Sequence, residues 1–83
     1  MKNPLLIAAI LRIVARLDPV PVRVETLQAE VDLALADPVT TISFEAALSH
    51  LRRRAYVATS DDPLLGCRTV ALTPKGRKEA ERL

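Results

Sequence analysis

The stretch TTISFEAALSHLRRRAYVATSDDPLLGCRTVALT, residues 40–73, decides the fold that we expect. Its first part repeats apolar residues at spacings of three and four, which indicates a helix with one buried face. These apolar residues are Phe44, Ala47, Leu48 and Leu51. The remainder contains two short runs typical of strands, separated by turn-forming residues at 61–66 (DDPLLG). The sequence therefore predicts a helix over residues 41–54, followed directly by a β-hairpin over residues 56–72.

Two segments of the chain carry a family resemblance, residues 51–57 (LRRRAYV) and residues 70–76 (VALTPKG). The first is similar to the run that closes the recognition helix in winged helix-turn-helix domains, with Ala55 in the place of a glycine. The second is similar to the strand and LTxxG turn that end the wing in MarR-like and PadR-like transcriptional regulators. The resemblance implies a single domain over residues 1–83 with an α+β fold that is mostly α. Its parts would be a three-helix core, a two- or three-stranded β wing and a short C-terminal helix.

Composition and charge fit one small globular domain. Hydrophobic residues make up 49% of the 83 residues, too many for a disordered tail. A chain this short also leaves much apolar surface exposed to solvent, and we expect a partner to bury part of this surface. The net charge of +2 is uneven, because residues 1–43 carry −1 and residues 44–83 carry +3. The second half is therefore where we expect a contact with nucleic acid.

Enzymatic, metal-binding and cofactor functions are not expected. The chain has one cysteine, Cys67, and one histidine, His50, so the sequence indicates neither a disulfide framework nor a zinc site. We therefore expect the protein in the reducing cytoplasm. With Gly66 and Gly76 as the two glycines, the chain has no glycine-rich phosphate loop. No spacing indicates a nucleophile with a base. Two aromatic residues are too few for a surface that stacks single-stranded bases.

The N-terminal segment predicts a helix over residues 3–17 that is apolar around more than half of its circumference. A membrane span needs about 20 apolar residues, whereas Arg12 and Arg16 interrupt this segment, and no signal-peptide cleavage site follows. One apolar stripe, which includes Ile10, suits the domain core. We expect the second stripe to form the interface of a homodimer. The alternative is that the wing and the C-terminal helix cover this stripe within the same chain. The second stripe consists of Ile7, Leu11 and Val14.

The remaining elements follow from local signals. Residues 22–24 alternate in polarity and predict a short strand that pairs with the wing. Residues 25–35 predict the second helix, and Arg23 takes the position where the family usually has a Ser or Thr cap. Thr73 and Pro74 suit the cap and the first position of a last helix.

The polar face of the helix over residues 41–54 is the candidate DNA-binding surface. By the resemblance, this helix would enter the major groove of duplex DNA, and the wing over residues 56–72 would contact the backbone or the minor groove. Ser and His side chains can donate to bases or phosphates, and Arg can bind guanine through two hydrogen bonds. Arginines at a helix C-terminus are also stabilised by the helix dipole, and His50 suits an ordinary surface position better than contact with a base. The expected DNA-binding residues are Thr41, Ser43, Ser49, His50, Arg52, Arg53 and Arg68.

Three acidic residues and two leucines favour a different function. Glu45 can accept a hydrogen bond from cytosine, but it also repels phosphates. The hairpin tip carries Asp61 and Asp62, whereas a tip that follows the DNA backbone is usually basic. Leu64 and Leu65 at this tip would more naturally contact a protein. The alternative to a small transcriptional regulator is therefore a winged-helix module that binds protein and no DNA.

Overall fold

The structure, a computed structural model, describes residues 4–36, 39–64 and 66–83, and for Asp62 it describes the backbone only. The described residues form a mostly helical α+β fold with four helices and a three-stranded antiparallel sheet, which confirms the predicted class. In chain order the elements are α1 (Pro4–Leu17), β1 (Val22–Arg23), α2 (Val24–Ala34), α3 (Thr41–Arg53), β2 (Val57–Asp62), β3 (Cys67–Leu72) and α4 (Pro74–Glu81). Among the described residues, no helix combines the length and apolar content required to cross a bilayer.

The sheet has the order β1-β3-β2 and joins the hairpin to the start of α2. In the hairpin, Val57 pairs with Leu72, and the pairing continues to the tip. The short strand β1 adds to the other edge of β3, where Val22 lies opposite Val70. All four of these side chains are buried, so this face of the sheet lies on the core. The predicted pairing of the short strand with the wing is confirmed.

Threonine caps fix where α3 and α4 begin. The backbone N–H of Ser43 donates to Thr40 Oγ1 at 3.0 Å, and the N–H of Gly76 donates to Thr73 Oγ1 at 3.0 Å. Each bond satisfies one of the N–H groups that a helix N-terminus leaves without a partner. At the start of α2, Arg23 makes no side-chain cap bond with the described residues. The start of α2 is fixed by the pairing of β1 instead.

The core forms between one face of α3, two neighbouring faces of α1 and the inner face of the sheet. The predicted buried face of α3 is confirmed, and Phe44 is fully buried. From α2, Leu27 and Val31 complete the core. The four side chains that α3 buries are Phe44, Ala47, Leu48 and Leu51.

The second apolar stripe of α1 is covered within the chain, so the expectation that it lies open for a homodimer is wrong for two of its three residues. Leu11 is 2% exposed and Val14 is buried, whereas Ile7 is half-buried. The physical reason is that α1 packs against α2, α3, α4 and β3 together. Leu11 faces the end of α3, where it lines the same groove as Leu51. The chain thus covers Leu11 and Val14, as in the alternative, and leaves Ile7 partly accessible.

The two segments that resemble the family contact each other. The N–H of Thr73 donates to the carbonyl oxygen of Tyr56 at 3.1 Å, and the hydroxyl of Thr73 donates to the carbonyl oxygen of Ala55. Gly76 approaches the same Tyr56 carbonyl so closely that a Cβ at this position would lie 1.9 Å from the oxygen. Glycine is therefore required at position 76 by packing. The start of α4 is thereby attached to the end of α3.

A second polar contact attaches α4 to the end of α1. Arg77 donates to both carboxylate oxygens of Asp18, from Nε at 2.9 Å and from Nη2 at 3.1 Å. These hydrogen bonds, together with the positive charge of Arg77, lower the pKa of Asp18 below its usual value. One bidentate ion pair thus links the residue that follows α1 to the middle of α4.

The burial of Leu11 gives a direct test of the corrected packing. We expect Leu11→Ala to lower the free energy of unfolding by about 2–5 kcal/mol, because it leaves a cavity in the core. The matched control is Leu33→Ala in α2, where the leucine is 83% exposed and the loss should stay within about 0.5 kcal/mol. Urea unfolding followed by circular dichroism measures both values. Equal losses in the two variants would contradict the placement of Leu11 in the core.

The end of α3 provides a second test, at Ala55. This residue has a φ of +63°, and its N–H donates to the carbonyl oxygen of Arg52 at 3.0 Å. The N–H of Tyr56 donates to the carbonyl oxygen of Leu51 at 3.0 Å, which completes a Schellman motif. Because glycine adopts positive φ without steric strain, Ala55→Gly should raise the free energy of unfolding by about 1 kcal/mol.

The control for this substitution is Ala46→Gly, at an exposed position inside α3. Here the same change should destabilise the protein by about 0.5–1 kcal/mol, since glycine lowers helix stability. The two alanine-to-glycine variants should therefore shift the urea midpoint in opposite directions. Shifts of both midpoints in the same direction would contradict the positive φ of Ala55 at the end of α3.

Candidate nucleic-acid interface

The first turn of α3 is positioned by hydrogen bonds with α2 and with its own cap. Gln28 Nε2 donates to Thr41 Oγ1 at 3.2 Å, which links the middle of α2 to the start of α3. The hydroxyl of Thr40 donates to Ser43 Oγ at 2.9 Å. Two of the expected DNA-binding residues, Thr41 and Ser43, are therefore exposed and also have structural partners. Their hydroxyls lie at one end of the candidate interface.

The outer face of α3 presents one side chain per turn to solvent. Ile42, Ala46 and Arg53 are exposed and Ser49 is half-buried, and these positions follow helical spacing. Ile42 is 83% exposed, although it is a large apolar residue. Apolar side chains at such a position can contact the methyl group of thymine. Ile42 was not among the expected site residues, although its spacing from Ala46 and Ser49 could have identified it.

A small cleft of about 50 Å³ separates α3 from the hairpin and brings three expected site residues together. Arg68 Nη2 donates to Glu45 Oε1 across this cleft, so an ion pair joins β3 to α3. The cleft is lined by Glu45, Leu48, Ser49, Arg52, Thr59 and Arg68. Sequence reasoning treated Glu45 and Arg68 separately, because 23 residues separate them and no local spacing indicates their contact.

The positive charge of the candidate interface comes mainly from the end of α3. Among the residues that the structure describes, Arg52 and Arg53 have no ion-pair partner, and both are exposed. By contrast, the charge of Arg68 is compensated by Glu45, and Asp61 lies opposite Arg68 in the hairpin. The two free guanidinium groups are thus the side chains best suited to bind phosphate.

His50 lies apart from the other expected site residues. It lines a largely apolar groove of about 350 Å³ between α1, the end of α3 and α4. Ile7, Tyr56 and Leu83 are among the residues that line the same groove. His50 is therefore turned toward α1 and α4, and it does not line the cleft beside Arg68.

The tip of the hairpin exposes an acidic and an apolar side chain where it is described, Asp61 and Leu64. Leu64 is 95% exposed, and Gly66 turns the chain with a φ of +64°. Leu65, the other leucine expected to contact a protein, lies outside the described residues, as does the side chain of Asp62. The tip thus offers at least one large apolar side chain to solvent.

No additional chemistry is indicated by metal ligands or by relatives. Within residues 4–36, 39–64 and 66–83, no group of three or more His, Cys, Asp and Glu side chains could hold a metal ion. Comparisons of the chain with protein-family models, curated proteins and solved structures give no match.

Proposed function

We propose that the chain is a winged helix-turn-helix domain that binds duplex DNA as a small transcriptional regulator. In this proposal α3 enters the major groove, and the β2–β3 hairpin lies against the backbone or the minor groove. We also place the protein in the cytoplasm, where its single half-buried cysteine, Cys67, stays reduced.

The order of the elements supports the fold part of the proposal. Two consecutive helices, α2 and α3, are followed directly by a hairpin, and a short strand before α2 joins the same sheet. The two segments that resemble winged helix-turn-helix regulators meet at the carbonyl oxygen of Tyr56, where Thr73 and Gly76 pack on the end of α3. This contact supports the proposal, because the first segment ends α3 and the second ends the hairpin.

The observation that supports DNA binding most strongly is the combination of side chains on one surface of α3. Arg52 and Arg53 are exposed without acidic partners in the described part of the chain, and the same helix also exposes Ile42 and Ala46. Positive side chains beside small and apolar groups suit a surface that binds phosphates and also contacts base edges. Since the net charge is only +2, this local surface has to supply the affinity.

A homodimer remains part of the proposal, but with a different interface. Leu11 and Val14 are buried in the domain, so they cannot meet a second copy. The first turn of α1 leaves Leu5 exposed and Ile7 half-buried, and Leu83 lines the same groove as Ile7. A two-fold dimer through this surface would present two copies of α3 to two half-sites.

A second candidate function is protein binding, and the 95% exposure of Leu64 at the hairpin tip favours it. A large apolar side chain at this position gains little beside a hydrated phosphate backbone, whereas it can be buried in a protein interface. This candidate predicts that the chain binds no duplex at any salt concentration. The DNA-binding experiment below therefore decides between the two functions.

The role of α3 can be tested with fluorescence anisotropy of a labelled duplex over a series of salt concentrations. If Arg53 contacts a phosphate, Arg53→Ala should weaken binding to every duplex by about two- to fivefold, the worth of one exposed ion pair. The slope of log K against log salt should also become shallower by about 0.9, because one phosphate contact is lost.

Arg82→Ala is the matched control for this experiment. Arg82 is an exposed arginine that follows α4, and its nearest acidic partner is Glu79, at 3.6 Å. Its substitution removes the same charge and should leave the salt slope unchanged. Unchanged slopes in both variants would remove Arg53 from the interface, and a wild-type chain that binds no duplex would contradict DNA binding itself.

A further inference from the structure

The cleft between α3 and the hairpin has the side chains of a phosphate site, but it also contains an acidic residue. Hydroxyl and guanidinium donors come from three elements, α3, β2 and β3, through Ser49, Arg52, Thr59 and Arg68. Glu45, the remaining polar member of the cleft, accepts a hydrogen bond from Arg68. A carboxylate and a phosphate oxygen bind guanidinium groups in the same way. Glu45 thus occupies the place on Arg68 that a phosphate could take.

Exposure indicates that the ion pair can be displaced. The side chains of Arg68 and Glu45 are 43% and 38% exposed. Ion pairs that are accessible to water contribute little to stability, so a competing anion can replace one partner at low cost. Arg52, in the same cleft, has no acidic partner among the described residues and would add to the attraction for that anion.

We propose that this cleft is a binding site for one backbone phosphate of duplex DNA, and that the Glu45 carboxylate competes with the phosphate for Arg68. The inference rests on the proposed function and adds a regulated contact to it. In the free protein Glu45 holds Arg68 against α3. On the duplex the phosphate takes over Arg68, and the loss of the Glu45–Arg68 ion pair reduces the net gain in affinity. Glu45 therefore sets how tightly the domain binds DNA of any sequence.

The test is a double-mutant cycle with Glu45→Gln, Arg68→Ala and the combined variant, measured by anisotropy of a labelled duplex at several salt concentrations. Glu45→Gln keeps the size of the side chain and removes the competing charge. It should tighten binding by about two- to fivefold. Where Glu45 keeps Arg68 from the phosphate in part of the wild-type complexes, Glu45→Gln should also steepen the slope of log K against log salt, by up to about 0.9. In the Arg68→Ala background, Glu45→Gln should have a clearly smaller effect.

Glu81→Gln serves as the control for net charge, because Glu81 is an exposed acid of α4 that does not line the cleft. Circular dichroism of each variant excludes loss of folding as the cause of weaker binding. Equal tightening by Glu45→Gln with and without Arg68, or equal tightening by Glu81→Gln, would overturn the proposal while leaving DNA binding intact. Failure of the wild type and of every variant to bind would instead contradict the proposed function.

Discussion

The rotation of α3 about its own axis is the constraint on which the candidate interface depends. Phe44, Leu48 and Leu51 bury one face of this helix in the core, so the opposite face has to point into solvent. That rotation places Ile42 and Arg53 outside and sets Glu45 at the side that faces the hairpin. A rotation by one residue, about 100°, would bury charged groups, which is costly without partners. The core thus selects the side chains that are available for binding.

Contacts made by the first half of α4 explain how so short a chain covers a very apolar first helix. The start of α4 is attached to the end of α3 through Thr73 and Gly76, and Arg77 is attached to Asp18 after α1. These contacts hold α4 beside α1, where it helps to cover the stripe that includes Leu11. The domain therefore needs no second copy to bury the middle of α1.

Local patterns predicted much of the fold, whereas contacts between distant segments could not be derived from them. Three predicted features reflect interactions within a few residues or a clear period. They are the spacing around Phe44, the cap Thr73 and the strand that begins at Val22. The covering of Leu11 depends on how four elements pack around α1, which no spacing within α1 reveals. For the same reason the contact of Glu45 with Arg68 and the turn of His50 toward α1 were not foreseen. The sequence therefore predicted which types of residue form the candidate site, but it did not predict the ion pair between Glu45 and Arg68.

The most direct test of the account is a nuclear magnetic resonance titration of the ¹⁵N-labelled chain with a short duplex at low salt. If α3 and the hairpin form the interface, amide shifts should be concentrated in Thr41–Arg53 and Cys67–Leu72, and the arginine side-chain signals of Arg52 and Arg53 should move with them. The groove that contains Ile7 and Leu83 should change little at protein concentrations where the chain is monomeric. Shifts confined to that groove or to the hairpin tip at Leu64, or no shifts at all, would contradict the account.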